Sequence, residues 1–363
     1  MRNKKYQLLK KKQKKYSYSR NPYKNNNKFI KIQKYILKGI TILLLFISFI
    51  VIKKNNNKDN KDYKDNKDNK DNNTDFTNSG EKKYFICFAT MVKMENRYIR
   101  ESVEYYLKLG VEKFYFADDN SLNGEKVSDV LQDYIDKGIV EIKDVRGLKW
   151  RLVDYYEYAL VHLRDKCTWI IYFDVDEFLE FKNKSMTIKD YLTMDNFKKC
   201  DLIKIHWLMY YDNDLVYYEN KPLQERFTKP EYNLHQNQYL KSIVRTKDYG
   251  LRMWEFSMHQ PNESYTYSCD DTGKYYKMPQ PNILGYPNYK YCYIKHFSMK
   301  TAEEFARKLQ RGDQKGEMYD KEVRIKRVED FFSHIKFAEE KLQVFEKILN
   351  MTIPKYHKNN GIK

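Results

Sequence analysis

The chain has 363 residues, 41% hydrophobic and 16% aromatic, which is enough for one large domain or two smaller ones. Its formal net charge of +18 would suggest nucleic-acid binding if the charge lay on a folded surface. Residues 1–52, however, hold 14 Lys and Arg and no Asp or Glu, and residues 81–363 carry only +3. We therefore expect no nucleic-acid partner, because the excess charge lies in the N-terminal tail.

The basic tail, residues 1–35, precedes an apolar run at residues 36–52 that is predicted to be a transmembrane helix. The run is short against the ~20 residues that span a typical bilayer, and it suits a thinner membrane of the early secretory pathway. The positive-inside rule places the tail in the cytosol and the rest of the chain in the lumen. A cleaved signal peptide is the alternative, although Lys53 and Lys54 directly after the run argue against it.

Three further segments follow the apolar run. Residues 53–80 form a Lys/Asp/Asn repeat that cannot bury enough apolar surface to fold, so we expect a disordered stem. Residues 81–320 are predicted to be the globular domain, and residues 321–363 a C-terminal helical extension. Five scattered cysteines without a CxxC pair argue against a zinc ribbon and allow one or two disulfides in an oxidising lumen, with at least one free thiol.

The globular part begins with alternating apolar runs and amphipathic segments. YFICFAT, at 84–90, has the length and composition of a strand buried on both faces, and residues 95–110 show helical spacing that ends at Gly110. The alternation continues with strands predicted at 113–117, 139–142 and 169–173 and helices at 125–137 and 151–165. This order predicts an α/β fold, a mostly parallel central sheet flanked by helices on both faces.

The pattern is looser beyond residue 200. DLIKIHWLMYY, KSIVRT and YKYCYIKHFS are predicted to be strands that extend or flank the sheet. From Thr301 onward the chain is charged and predicted to be helical, ending in one long helix around Val323 to Leu349. These helices are expected to support the domain from one side.

Charged residues follow three of the predicted strands where each strand ends. Because ligands of such sheets bind at the carboxyl ends of the strands, these side chains should lie at one edge and close together. They are Lys93 and Glu95 after the first strand, Asp118 and Asp119 after the second, and Asp174 and Asp176 after the strand at 169–173.

The segment YFDVDEFLEF, at 172–181, places Asp174, Asp176 and Glu177 within four positions. Carboxylates this close repel each other unless a cation lies between them. Hard oxygen ligands suit Mn²⁺ or Mg²⁺, and alternate residues on an extended backbone can present two carboxylates to one ion. Such an ion can neutralise a diphosphate and stabilise its departure. The segment therefore predicts a divalent metal site.

Several stretches together resemble glycosyltransferase family 92 and related family-2-like enzymes, a family formerly described as a domain of unknown function. They are VKMENRYIRESVEYYLKLGVEKFYFADDNS, WIIYFDVDEFLE, LQERF, KSIVR, MHQPN and YIKHFSMKTAEEFARKLQRGD. The resemblance covers roughly residues 84–313. It implies a GT-A-like catalytic domain at 81–320, a UDP- or GDP-sugar donor, a glycan or glycoprotein acceptor, Mn²⁺ or Mg²⁺ as cofactor, and a single-pass type II protein of the Golgi or endoplasmic reticulum membrane.

The resemblance also implies roles for individual residues. Asp176 would be the direct metal ligand, Asp174 would contact the metal through water or the donor ribose, and His296 would be a further metal or diphosphate ligand. Asp118 would recognise the nucleotide base. Lys93, Glu95 and Asp119 would lie near the nucleotide. Glu177 would lie on the side of the donor sugar, and Glu225 and Glu255 are candidates for the base that deprotonates the acceptor in an inverting enzyme.

Each of these residues has a structural alternative. Asp118 and Asp119 could form an ordinary turn or helix cap. His259 and His296 could be buried histidines with satisfied hydrogen bonds. Glu177 could accept bonds from local backbone amides, and Arg226 could form a structural ion pair.

Three functions remain compatible with the sequence. The first is a membrane-anchored glycosyltransferase. The second is a metal-dependent phosphodiesterase or nucleotidyltransferase, which would also use an Asp-x-Asp pair. The third is a catalytically silent lumenal binding protein on the same fold. The sequence leaves the sugar, the acceptor and the anomeric outcome open.

Overall fold

A computed structural model of the chain describes residues 82–148, 152–246, 267–275, 287, 289–312 and 318–357. All of them belong to one unit, Ser79–Lys363. The tail, the expected transmembrane helix and most of the stem, up to residue 81, lie outside the described residues. Among the described helices, none combines the length and the apolar character that crossing a bilayer requires.

The first part of the domain alternates strands and helices as the sequence predicts. The elements are β1 (Tyr84–Val92), α1 (Asn96–Lys108), β2 (Lys113–Asp118), α2 (Ser128–Asp136), β3 (Val140–Asp144), α3 (Leu152–Leu163) and β4 (Cys167–Ile171). The four strands pair in parallel in the order β3-β2-β1-β4. β1 lies inside this sheet and is buried from Ile86 to Val92, which explains its continuous apolar sequence.

Helices cover both faces of this parallel half. Ile86 and Phe88 of β1 belong to the apolar cluster formed with α1 and α2. Cys87 and Ala89, which alternate with them along the strand, belong to the cluster formed with α3. The predicted arrangement of helices on both faces of the sheet is therefore confirmed for this half.

The second part extends the sheet with mixed pairing. Its strands are β5 (Glu177–Phe181), β6 (Leu202–Tyr210), β7 (Pro230–Glu231), β8 (Leu240–Arg245), β9 (Ser268–Cys269) and β10 (Cys292–His296). The order continues as β4-β8-β6-β10-β5, with β7 and β9 beside β6. The pairs β4–β8, β8–β6 and β10–β5 are antiparallel, and β6–β10 is parallel. The prediction of a mostly parallel sheet thus holds for the first half only, and the strands predicted after residue 200 are confirmed.

The remaining elements are short or C-terminal. Two short helices, α4 (Ile188–Leu192) and α5 (Leu223–Arg226), connect the strands of the second half, together with 3₁₀ turns at Asp195–Phe197 and His235–Gln238. The C-terminal helices are α6 (Ala302–Arg311), α7 (Lys321–His334), α8 (Glu339–Leu349) and α9 (Pro354–His357).

The single long helix expected around Val323 to Leu349 is wrong, because the chain turns between α7 and α8. Ile335 is extended, with φ −110° and ψ 136°. In one continuous helix Phe331 and Phe345 would lie about 21 Å apart at 1.5 Å per residue. The turn brings their ring centroids to 5.0 Å, in an apolar cluster that also includes Phe305 of α6. Burial of this aromatic cluster explains why the helix is divided.

Two disulfides cross-link the domain. Cys87 of β1 is bonded to Cys167 of β4, and Cys200 is bonded to Cys269. Cys292 is free and buried. This agrees with the expected one or two disulfides and one free thiol.

Candidate active site at the carboxyl edge of the sheet

The carboxyl ends of β1, β2, β4 and β10 lie at one edge of the sheet, because β1, β2 and β4 are parallel to each other and β8 and β6 carry the same edge across to β10. β8 runs antiparallel to β4, so its first residues meet the end of β4. Lys241, near the start of β8, therefore reaches the loop that follows β4. This explains how charged residues distant in sequence gather at one place.

The loop after β4 is a tight turn that holds Asp174 and Asp176. The Glu177 backbone N–H donates to the Asp174 carbonyl at 3.1 Å, and the Asp174 N–H donates to Oε2 of Glu177 at 3.0 Å. The Phe297 N–H donates to the Asp176 carbonyl at 3.1 Å, which ties the turn to the end of β10. Glu177 has no exposed surface and accepts a bond from a backbone amide, as its structural alternative predicts.

Two lysines neutralise the carboxylates of this loop. Lys241 Nζ lies 2.7 Å from Oδ2 of Asp174 and 3.3 Å from Oε1 of Glu177. Lys300 Nζ lies 2.5 Å from Oδ2 of Asp176. Burial alone would raise the pKa of Asp176, but Lys300 and His296 hold that pKa below its ordinary value. Burial alone would lower the pKa of Lys241, but Asp174 and Glu177 raise it.

His296 faces the same carboxylates from the end of β10. Its Nε2 lies 3.9 Å from Oδ1 of Asp176 and 3.7 Å from Oε1 of Glu177, and its ring centroid lies 4.2 Å from that of Trp207. Burial lowers the pKa of His296 to about 3, so the imidazole is neutral at pH 7. A neutral imidazole beside a carboxylate is a competent metal ligand.

Asp176 and His296 fit a divalent ion as a pair of ligands. Among the described residues, no group of three or more His, Cys, Asp and Glu side chains could hold a metal ion by itself. Mg²⁺ sites often use one or two carboxylates and complete their shell with substrate phosphates and water, so a two-residue site suits an ion that arrives with a diphosphate. Oδ1 of Asp174, which is buried and makes no hydrogen bond in the described part of the chain, is a further oxygen nearby.

The residues after β1 and β2 are held by ion pairs and backbone contacts. Lys93 Nζ lies 3.5 Å from Oδ2 of Asp119, and Arg311 Nη2 lies 3.1 Å from Oε1 of Glu95. The carboxylate of Asp118 is almost completely buried and accepts N–H bonds from Asn120 at 3.1 Å and Val127 at 2.9 Å. Asp118 therefore fixes the loop between β2 and α2, and its role in recognising a base stays a prediction.

A cavity of about 260 Å³ lies between these loops, the start of α1, and α6. Its lining is basic on balance, because five cations outnumber three carboxylates, Glu95, Glu125 and Glu304. Five cations contribute to it: Arg97, Lys300, Arg307, Lys308 and Arg311. Lys300 belongs both to this lining and to the ion pair with Asp176, so the cavity and the acidic loop form one continuous site.

None of these cations was predicted from the sequence. A signal was present in RKLQRGD, because Lys308 and Arg311 are three residues apart and face the same side of a helix. Burial lowers the pKa of Lys308, and nearby Lys300 lowers it further. Lys308 carries no hydrogen bond or ion pair within the described segments, so its ammonium is available to a ligand of the cavity.

The predicted bases are less well supported by the geometry. Glu225 is exposed on α5 and lines a neighbouring cavity of about 430 Å³, which shares Arg97 with the first. Glu255 and His259 lie outside the described residues. Arg226 donates two bonds to Glu304, at 2.9 and 3.0 Å, with both side chains buried, so Arg226 forms the structural ion pair that was its alternative.

Residues 82–327 match the sequence model of glycosyltransferase family 92, and the chain belongs to that family. A Ricinus communis protein of family 92 is 31% identical over 103 residues, covering 27% of this chain and 18% of the relative. An Arabidopsis thaliana family 92 protein is 28% identical over 130 residues, covering 33% of this chain and 22% of the relative. The match thus spans about a fifth of the length of these relatives.

Solved structures are more distant. S. aureus TarS residues 1–349 in complex with UDP is 12% identical with a TM-score of 0.33, covering 73% of this chain and 71% of that one. The complex of the same protein with UDP-GlcNAc is also 12% identical, with a TM-score of 0.32 and coverage of 74% and 72%. Values in this range establish neither a shared donor nor a shared reaction.

Proposed function

We propose that the chain is a metal-dependent glycosyltransferase that moves a sugar from a UDP- or GDP-sugar to a glycan or glycoprotein acceptor. The observation that carries the proposal is the junction at Lys300, where the Asp176–His296 pair meets a basic cavity. A nucleotide sugar has the two chemical features that this junction requires, a diphosphate and a need for cationic stabilisation of its departure. Membership of family 92 supports the same assignment.

In this proposal Lys308 and Arg311 bind the diphosphate, because ammonium and guanidinium groups in a partly buried cavity form strong charge-assisted bonds with phosphate oxygens. Asp176 and His296 hold Mn²⁺ or Mg²⁺, with Asp174 beside them. When bound, the ion supplies Lewis-acid stabilisation of the leaving diphosphate. Lys93, Glu95 and the loop fixed by Asp118 would contact the nucleoside, and their ion pairs and backbone bonds support this by holding them beside the cavity.

The proposal names candidates, and no single residue, for the base that acts on the acceptor. A carboxylate must take the proton of the acceptor hydroxyl if the reaction inverts the anomeric centre. Glu177 has no exposed surface, so it orients Asp174 and does not contact the acceptor. Glu225, in the neighbouring cavity, and Glu255 remain the candidates for that base.

We further propose that residues 36–52 anchor the chain as a type II protein of the Golgi or endoplasmic reticulum, with the domain in the lumen. Two disulfides within one domain are typical of an oxidising compartment and rare in the cytosol, which supports the lumenal placement.

The test is Mn²⁺-dependent turnover of UDP- and GDP-sugars by the purified full-length protein. We expect slow hydrolysis that releases the nucleoside diphosphate, and a loss of about 100-fold or more in Asp176→Asn, since metal-ion stabilisation contributes several kcal/mol to such a transition state. Asp195→Asn, the same change at an exposed aspartate, is the matched control and should retain full turnover.

The products separate the rival functions. Release of the nucleoside monophosphate would replace the transferase by a phosphodiesterase. Metal-dependent binding of the nucleotide without turnover of any sugar nucleotide, with or without added glycans, would identify a binding protein on this fold.

A further inference from the structure

The two lysines that neutralise the acidic loop differ in what else they contact. Lys241 lies between Asp174 and Glu177, is fully buried, and does not line the cavity. Lys300 is paired with Asp176 on one side and lines the cavity on the other. Lys241 is therefore a fixed counter-ion, whereas Lys300 can reach a ligand without leaving the site.

Opposing electrostatic forces act on Lys300, and an anion in the cavity would change their balance. Its ammonium shares the cavity with Lys308 and Arg311, which repel it, and Asp176 attracts it. A diphosphate in the cavity would attract all three cations. Arg311 is already bonded to Glu95, and Lys308 forms no ion pair with the described residues. The balance of attraction on Lys300 would thus move from the carboxylate toward the phosphate.

Lys300 also competes with a divalent ion. It holds Oδ2 of Asp176, whose other oxygen faces His296 at 3.9 Å. A cation that binds Asp176 while Lys300 remains there places positive charge beside an ammonium in a buried site, which is unfavourable. The ion alone should therefore bind weakly.

We propose that Lys300 is a shared counter-ion that couples donor and metal binding. In the donor-free protein it neutralises Asp176, and in the complex its ammonium contacts the donor's diphosphate, which frees the Asp176 carboxylate for the divalent ion. The inference rests on the proposed function and adds to it a specific residue and a binding order. Because coupling is reciprocal, the metal must strengthen diphosphate binding by the same factor by which the diphosphate strengthens metal binding.

Binding of Mn²⁺ alone to the full-length protein tests the first half of the proposal. Electron paramagnetic resonance of free Mn²⁺ gives the Kd for the wild type, for Lys300→Met and for Lys308→Met. We expect Lys300→Met to bind Mn²⁺ about 10-fold more tightly than the wild type. Lys308→Met is the matched control, since it removes a cation of the same cavity that forms no ion pair with Asp176 and acts on that carboxylate only at longer range. Its Mn²⁺ binding should tighten by less than about 3-fold, because the lost repulsion is weaker at the longer distance.

Addition of UDP tests the second half. After correction for the Mn²⁺–UDP complex in solution, UDP should tighten Mn²⁺ binding to the wild type by about 10-fold or more, within the usual range of coupling between sites. In Lys300→Met only the coupling that comes from direct contact of the ion with the diphosphate should remain, so the factor should be at least about 3-fold smaller than in the wild type. In Lys308→Met the wild-type factor should persist, although UDP itself binds more weakly.

The outcomes separate the inference from the proposed function. Equal Mn²⁺ affinity in the wild type and Lys300→Met, or a UDP factor that is the same in the two proteins, would overturn the inference and leave a metal-dependent transferase standing. Absence of Mn²⁺ binding to every protein, with and without UDP, would overturn both. If Lys300→Met does not fold, Lys300→Gln retains a hydrogen-bond donor for Asp176 without the charge, and the same expectations and the same contradicting results apply to it.

Discussion

The parallel half of the sheet and the mixed half contribute opposite charges to the site. The ends of β1, β2 and β4 supply mainly carboxylates, Asp118, Asp119, Asp174 and Asp176. The mixed half and α6 supply the cations that meet them, Lys241, Lys300, Lys308 and Arg311. Lys93 pairs with Asp119 within the parallel half, but Asp174 and Asp176 are neutralised only by Lys241 and Lys300 from beyond it, so the acidic loop depends on the pairing of the two halves.

Neutralisation of the acidic loop therefore depends on how the strands of the two halves pair. Lys241 reaches Asp174 because β8 is antiparallel to β4 and begins where β4 ends. Lys300 reaches Asp176 across 124 positions of sequence, because β5 begins directly after Asp176 and its first residue, Glu177, pairs with His296 at the end of β10. A residue of the second half can therefore be essential to the acidic loop without any local sequence pattern that indicates it.

The largest effect on stability is expected from removal of Lys241, the buried counter-ion of the acidic loop. Lys241→Met leaves the buried carboxylate of Glu177 and the partly exposed carboxylate of Asp174 without their shared counter-ion. Loss of one partner from a buried ion pair costs roughly 3–5 kcal/mol, so the free energy of unfolding in urea should fall by about that amount. A loss below about 1 kcal/mol would mean that the two halves do not depend on each other electrically.

The matched control for Lys241→Met is Lys198→Met. Lys198 pairs with Asp195 at 2.8 Å, but both side chains are largely exposed. Water already screens this pair, so we expect no measurable change in stability. Equal effects of the two substitutions would indicate that removal of any lysine destabilises the protein, independent of burial.

The two halves also differ in how much the sequence predicts. The parallel half alternates long apolar runs with amphipathic helices, so its seven elements were identified within a few residues of their observed bounds. In the mixed half the strands at Leu202–Tyr210, Leu240–Arg245 and Cys292–His296 were expected, but their order and direction were not. Periodicity shows which face of a strand is buried and contains no information on its partner.

The residues of the candidate site could likewise be predicted only where a local sequence pattern indicates them. The carboxylates could be proposed because they directly follow apolar strands, and His296 because it lies at the end of the predicted strand in YKYCYIKHFS. Lys300 and Lys241 could not, since a lysine in a β-strand or at its end is more often solvated than buried. The turn at Ile335 was missed because α7 and α8 each satisfy a helical pattern, and only the aromatic cluster they form explains why they fold back.

A second test concerns the ion pair that joins the start of α6 to α5. Arg226 donates two bonds to the buried carboxylate of Glu304, which also accepts a bond from Tyr98 at 2.7 Å. Burial alone would raise the pKa of Glu304, but its bonds with Arg226 hold that pKa below its ordinary value of 4.5. At neutral pH, Glu304→Gln should therefore lose about 3 kcal/mol of unfolding free energy, measured in urea.

The pH dependence of the Glu304→Gln effect follows from the sign of this pKa shift. A carboxyl with a lowered pKa in the folded state stabilises the protein above pH ~4.5, and that stability is lost as the pH falls through the folded pKa. The difference between the wild type and Glu304→Gln should therefore be largest near pH 7 and shrink below pH ~4.5. Glu303→Gln, which alters a partly exposed pair with Arg307, should cost less than about 1 kcal/mol. A gap that widens on acidification would contradict the assigned pair.

The smallest expected effect distinguishes the two roles of Asp118. Asp118→Asn retains one acceptor oxygen and loses the other, so one of the bonds from Asn120 and Val127 is broken at a cost of about 2 kcal/mol. If Asp118 acts only by fixing the loop, UDP and CDP should bind this variant with equally weakened affinity in isothermal titration. If it also contacts the base, the preference between UDP and CDP should change while the stability loss remains the same. An unchanged stability would show that the loop is held by other contacts, and the structural role given to Asp118 would then be wrong.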